Sequence, residues 1–533
     1  MSSRKVFIRK IVYLAIIACL IMAIFWLSRP ATSATKDSPA SPGGLLAVVR
    51  DEYMLSPARL GEIDPTSVTI KLTTLGLRGV AAQILWGKAQ EYQMKKDWAN
   101  RALVLKQITK VQPNFIDVWI NQAWNVSYNI SVQFRDDYRE RYRWVIKGFN
   151  FLKEGIVYNK NDERLQYELG RMISQKIGKA DESKQFRRLF RQDDDFNAGR
   201  ALADRDNWLV GKEWYDAATN MVETKRKTTL RQSPLIVRSS GPMCTMNYAE
   251  SLEKDGTFGE VAKTAWKGAS DDWQRFGSVQ LPTSFTRGPD EPILIRLNEQ
   301  ESEERIAREL ADKLDAIQPG LRQKIIAEKK AGLSAAQREA LAVAPEVRTQ
   351  AQATLAFDAE QALNTSHDEV ARRIKGPRRK QAIELARDAA DHEQLARYIS
   401  QNRSIVNFSF WRSRAKTEQT DDLVTARRLV YQGDQKYAEG DPVLARNAYR
   451  DALAAWRRVI DAHPEYREDQ TTGEDLIDVI DRYRRILRQL DEPFPEPFIL
   501  QDVVDAYRAR HGQAAADQRQ AKPAAKRAEK AGK

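Results

Sequence analysis

The sequence predicts an all-α protein: an N-terminal transmembrane helix, then a body of helical-hairpin repeats interrupted by a charged helical insertion. Three observations lead there. Ile11 to Leu27, IVYLAIIACLIMAIFWL, is 17 residues without a charge. Beyond Leu45 the apolar residues recur at helical spacing, as in the stripe Tyr138, Tyr142, Val145, Phe149, Leu152 and Ile156. A large-small-large motif then recurs at a fixed distance along the chain.

Residues 1–10 form a basic segment expected to stay cytoplasmic, because Arg4, Lys5, Arg9 and Lys10 precede the apolar run. As a helix, residues 11–27 span about 25 Å, just short of the hydrocarbon core. Val6, Phe7 and Ile8 lengthen the span while Arg9 and Lys10 snorkel to the headgroups. The competing reading is a cleaved signal peptide with a weak small-residue site at Thr32-Ser33-Ala34. The apolar core exceeds the usual signal-peptide length, so a signal anchor is the expectation. Ile16 to Cys19 loosely resembles a lipoprotein signal, but eight apolar residues follow Cys19. Residues 28–44, SRPATSATKDSPASPGG, have little to bury and read as a flexible stalk.

Residues 45–298 carry the first repeat region. Leu85, Ala89 and Tyr92 recur as Trp119, Ala123 and Val126, each displaced by 34 residues. A small residue between two large ones lets a second helix approach closely, and Pro113 ends the first unit. Leu169, Gly170 and Ile173 repeat the motif after an insertion of about a dozen residues. A looser copy surrounds Tyr248, Ala249 and Leu252. Residues 401–512 hold the best copy: Leu429 and Gly433 on a first helix, Gly440-Asp441-Pro442 as the turn, then Ala445, Tyr449 and Ala452 on a second helix that Pro464 ends.

Together these segments resemble tetratricopeptide-repeat (TPR-like) proteins over somewhat under half the chain. The stretches LGLRGVAAQILWGKAQEY, DVWINQAWNVSYNIS, RYRWVIKGFNFLKEG and IVNFSFWRSRAKTEQT look more closely like a membrane-anchored helical family of planctomycete-type bacteria, some members of which carry the label "iron-responsive element". The resemblance implies an inner-membrane anchor with the body on the periplasmic side, and supplies no catalytic residues.

Residues 299–400 change character: Glu, Arg, Ala and Gln dominate and aromatics nearly vanish. Such a segment forms solvated helices laced with ion pairs or stays partly disordered, and a helical insertion is the expectation. Residues 513–533 read as a basic, disordered tail. Extended runs are few. Val68 to Leu72 and Pro292 to Leu297 are short strands or connectors.

Charge and chemistry exclude several classes. The formal charge is +13, but residues 1–36 carry +6 and the tail +4, leaving about +3 for the body between. That balance argues against a phosphate-binding face. Two cysteines, Cys19 and Cys244, exclude a disulfide framework and a cysteine-based metal or iron–sulfur site. His367, His392, His463 and His511 lack zinc spacing, and no phosphate loop, nucleophile elbow or EF-hand motif is present. Asp193-Asp194-Asp195 lacks spaced calcium ligands and reads as a loop or helix start. No catalytic, cofactor or metal residues are therefore assigned, and the iron or RNA role that the family label implies finds no support in the residues. The clusters Trp208, Trp214 and Tyr215, and Phe408, Phe410 and Trp411, are either stacking platforms or, as wide residues between helices, packing.

The expected function is a membrane-anchored scaffold or assembly factor that holds a protein or peptide partner in the cell envelope. The rivals are an envelope enzyme working through unrecognised carboxylates and a purely structural component. Asn121, Asn125 and Asn129 recur every four residues and form one stripe on a helix. Asn121 and Asn125 are the candidate partner-binding residues, since an amide can grip a peptide backbone. The alternative is that these amides are buried and tie the helix to its neighbours.

Overall fold

Strong helix formers fill the solvent-facing positions, and helix carries the fold: twenty α-helices among the described residues, against a single two-stranded hairpin. The computed structural model of the chain describes residues 78–134, 137–224, 233–288, 291–468 and 470–510, with Leu230, Gly512 and isolated positions between 12 and 48. The 1–10 segment, about half of the expected span over 11–27, nearly all of the stalk, Val68 to Leu72, His511 and the 513–533 tail lie outside the described residues. No helix among the described residues is long and apolar enough to cross a membrane. The chain divides into two compact units between Ser251 and Leu252.

The first unit is a series of antiparallel helix pairs. Arg78–Met94 lies against Trp98–Val111, with Ala81, Leu85 and Ala89 meeting Leu105 and Ile108. Asp97 caps the second helix by accepting from Asn100 N. Ile116–Trp124 continues as a π-helical stretch, Asn125–Ile130, and pairs with Tyr138–Tyr158. Glu163–Met172 likewise continues as a π-helical stretch, Ile173–Ile177, and pairs with Asn207–Thr224. In the first stretch Ser131 N donates to Val126 O, five residues back.

The two pairs have seams of the same kind. A Cβ at Gly148 would lie 2.1 Å from Ser127 Oγ and 2.7 Å from Ala123 O. In the second pair a Cβ at Gly211 would lie 3.0 Å from Ser174 Cβ and 3.2 Å from Gly170 O. Small residues thus meet at matching heights and bring the backbones together. Trp119 is 1% exposed, and its indole N–H donates to Pro113 O at 2.7 Å. The same carbonyl accepts from Asn159 Nδ2 at 2.9 Å, joining the start of one helix to the end of its partner.

In the second unit Glu260–Ser278 leads into Leu281–Gly288 and Glu291–Ile295, which pair antiparallel with Leu281 opposite Ile295. Most of residues 299–400 is helical, as the composition predicts. Gln300–Ile317 packs against Arg379–Ile405, and Leu314, Leu321, Ile325, Val370 and Ile374 give the segment its own small core. Capping boxes at Ser334/Gln337 and Thr349/Gln352 start two of its shorter helices. Arg403 donates to Leu297 O at 2.6 Å and to Glu301 Oε2 at 2.8 Å, tying the segment's ends together. Asp421–Ala438 and Pro442–Ala462 then form a hairpin whose core extends to Gln470–Gln489 and residues 501–510.

Candidate functional site

The residues expected to pack are mostly buried. Leu85, Ala89, Trp119, Ala123, Val126, Leu169, Ala445, Tyr449 and Ala452 are each no more than 5% exposed. Gly170 lies against Gly211 and Tyr215, and Gly433 against the ring of Tyr449. Tyr92 is only half-buried, at the end of its helix.

The asparagine stripe divides. Asn125 is 1% exposed, with Nδ2 directed at Trp98 O at 3.4 Å and Oδ1 accepting from Asn129 Nδ2 at 3.2 Å. It is therefore not available to a partner: its amide joins this helix to the preceding one. Asn121 is half-buried, and its Nδ2 donates to Asp117 O of its own helix at 2.7 Å. Its carbonyl oxygen is the group it can offer outward.

The face around Asn121 carries more than asparagine. One turn on, Trp124 stacks on Tyr128, with ring centroids 4.2 Å apart and planes 12° apart. Trp124 keeps 39% of its surface exposed. Lys176, from the neighbouring π-helical stretch, holds Nζ 4.7 Å from the centre of the Tyr128 ring. It is 8% exposed and forms no ion pair among the described residues. Burial pushes its pKa down, Arg141 adds to the effect and Asp181 opposes it. Beside it Arg171 is fixed by Glu168, Nε to Oε2 2.8 Å. Burial raises the Tyr128 phenol above its ordinary value, and Arg171 partly offsets this.

The helices that position this face run parallel. Asp117 pairs with Arg164 at one end, and Tyr128 meets Lys176 at the other. The face they present carries the Trp124–Tyr128 stack, the Asn121 amide, the Asp117–Arg164 pair and the Lys176 ammonium. It can hold a ligand by stacking and hydrogen bonding.

Trp124, Tyr128 and Lys176 are not picked out by periodicity. The π-helical turn moves Tyr128 off the position an α-helix would give it, and Lys176 looks like any solvated charge.

Elsewhere, polar clusters are occupied internally. Asp193 accepts from Tyr142 Oη and from Phe196 N, each at 2.9 Å, and Asp194 pairs with Arg205. His367 lies between Arg322 and Glu393, and His392 meets Glu303. No group of three His, Cys, Asp or Glu among the described residues could hold a metal ion. Trp208, Tyr215 and Phe408 are buried, whereas Trp214, Phe410 and Trp411 are half-buried.

No family model matches the chain, and no curated protein sequence matches it.

Proposed function

We propose that the protein is a membrane-anchored, tetratricopeptide-like scaffold or assembly factor of the bacterial cell envelope. It holds a protein or peptide partner in the groove between Ile116–Trp124 and Glu163–Met172, and it acts by binding rather than by catalysis. The observation that carries this reading is the Trp124–Tyr128 stack with its exposed indole face. Exposed Trp and Tyr are the side chains that most often anchor a partner, and parallel stacked helices build an extended concave surface for it. The small-residue seams of the two helix pairs support the tetratricopeptide-like part, and the charge-free run Ile11 to Leu27 supports the anchor.

A photo-cross-linking amino acid placed at Asn121 of the full chain in native membranes tests the groove, with Phe357, 59% exposed in the other unit, as the control position. A discrete adduct from position 121 alone, lost on Trp124→Ala, is the expected result. Equal labelling from both positions, or none, counts against the groove.

A further inference from the structure

The near-balance of the body's charge conceals a local excess in its first helix pair. Residues 79–111 carry Lys88, Lys95, Lys96, Arg101, Lys106 and Lys110 against Glu91 and Asp97, a net +4, more than the roughly +3 of the whole body. Lys95 pairs with Glu91 at 2.6 Å and Lys88 shares that carboxylate at longer range, while Lys96 and Lys106 form no ion pair among the described residues.

Large apolar side chains interleave with those charges. Val80 is 49% exposed, Ile84 51%, Leu103 61% and Met94 78%. Val80, Ile84 and Lys88 follow one another at four-residue steps on Arg78–Met94, and Leu103, Lys106 and Lys110 at three and four on Trp98–Val111. Each helix therefore has an outward stripe that begins apolar and ends basic. The other face of the second helix is covered, because Val118 joins its core and Gln122 Nε2 donates to Ala102 O at 3.2 Å.

We propose that this first helix pair lies on a membrane surface, its lysines against anionic phospholipid headgroups and Val80, Ile84 and Leu103 at the level of the acyl boundary. Basic residues interleaved with exposed aliphatic ones are what an interfacial surface needs, whereas a soluble acidic protein would be met by the lysines without them. The inference rests on the anchored reading in one respect: Leu27 ends the apolar run 52 positions before Gly79, so an inserted anchor keeps this pair within reach of the bilayer. The contact then orients the body, setting the groove at a fixed height above the membrane.

The test uses the full chain carrying Cys19→Ala and Leu103→Cys, labelled at position 103 with an environment-sensitive fluorophore. It is reconstituted into phosphatidylcholine vesicles with or without phosphatidylglycerol. The expected result is a blue-shifted emission only with phosphatidylglycerol, reversed by high salt and by Lys88→Glu with Lys106→Glu. Affinity for the anionic surface should fall about fivefold for each lysine removed. An emission that is the same in both vesicles, or already blue-shifted in lipid-free detergent because another part of the chain covers position 103, overturns the inference. Flotation separates the two readings. A chain that fails to float with neutral vesicles refutes the anchor, and the dye response on mixing that chain with phosphatidylglycerol vesicles still decides the headgroup contact.

Discussion

Asp117 and Arg164, 47 positions apart, form an ion pair between the first turns of Ile116–Trp124 and Glu163–Met172. The same offset takes Ala123 to Gly170, Ser127 to Ser174 and Ile130 to Ile177. Asp117 is 53% exposed, so the pair is screened and marks the register without setting it. Asp117→Ala should cost under about 1 kcal/mol in urea unfolding followed by circular dichroism. A loss of several times that would show that the ion pair itself holds the helices in step.

The seam is where the register is held. Gly148→Ala forces a methyl group onto Ser127 Oγ and the Ala123 carbonyl, and a backbone oxygen cannot rotate away. The expected destabilisation is about 1–3 kcal/mol, as for overpacked cores. Adding Ser127→Gly should recover only part of it, since the carbonyl contact remains. Complete recovery would place the whole constraint in the serine.

Asn125→Ala leaves Trp98 O without the Asn125 amide and should cost about 1–3 kcal/mol. Asn121→Ala removes only a bond within its own helix and should leave the melting temperature nearly unchanged while reducing the cross-linked adduct formed from a probe at Asp117, one turn before it on the same face. If both substitutions lower stability equally and the adduct falls only in step with folding, Asn121 is structural and the groove loses its amide.

Much of this was legible in the sequence because it follows an α-helical period. The stripe Trp119, Ala123, Val126 and Ile130 is buried as its spacing implies, and most of the 299–400 segment is helical because strong helix formers and two capping boxes fill it. The π-helical stretches were not legible, since nothing in NVSYNI or ISQKI announces a hydrogen bond that reaches one residue too far. Nor was the strand Leu281–Gly288, whose Pro282 and polar Thr-Ser-Phe-Thr run give no clean alternation; Pro292 to Leu297, which the sequence leaves open between strand and connector, is met by the strand Glu291–Ile295, with Leu297 already in a tight turn. Lys176 was missed for a different reason. Its significance lies in what fails to face it, which a sequence does not record.

Glu418 is 1% exposed and accepts from Arg427 Nη2 at 2.9 Å and Arg414 Nε at 3.3 Å. Glu418→Ala leaves two largely buried guanidinium groups without this carboxylate and should cost about 3–5 kcal/mol. Adding Arg414→Met should return part of that loss, a non-additivity read from the four-way cycle of unfolding free energies. Strict additivity would show that the two residues act independently.

Cys244 is 3% exposed, and burial pushes its thiol up to about 12, with Asp216 acting in the same direction and a hydrogen bond to Ser174 opposing it. In the unfolded chain a thiol ionises near ~8.5. Below that pH both states keep the proton and the contribution to stability is whole. As the pH rises toward 12 only the unfolded chain releases it, so stability falls. A chain with Cys19→Ala should resist iodoacetamide at pH 8 until urea unfolds it, and Cys244→Ala should make the alkaline decline of stability shallower. Rapid labelling of the folded chain, or an unchanged slope, would contradict this.

Within Asn125–Ile130 the hydrogen bonds span one residue more than an α-helix allows, so removing one residue there restores α-helix instead of breaking it. Each helical residue turns the chain by about 100°. A deletion at this place would therefore act as a rotation: Trp119 and Ala123 would keep their seats, while Tyr128 would leave the Lys176 ammonium and a different side chain would take the groove floor. Insertions and deletions are usually tolerated in loops and rejected in helices. Here a single-residue change in length becomes a way to exchange the surface a partner meets while the scaffold beneath it stays the same.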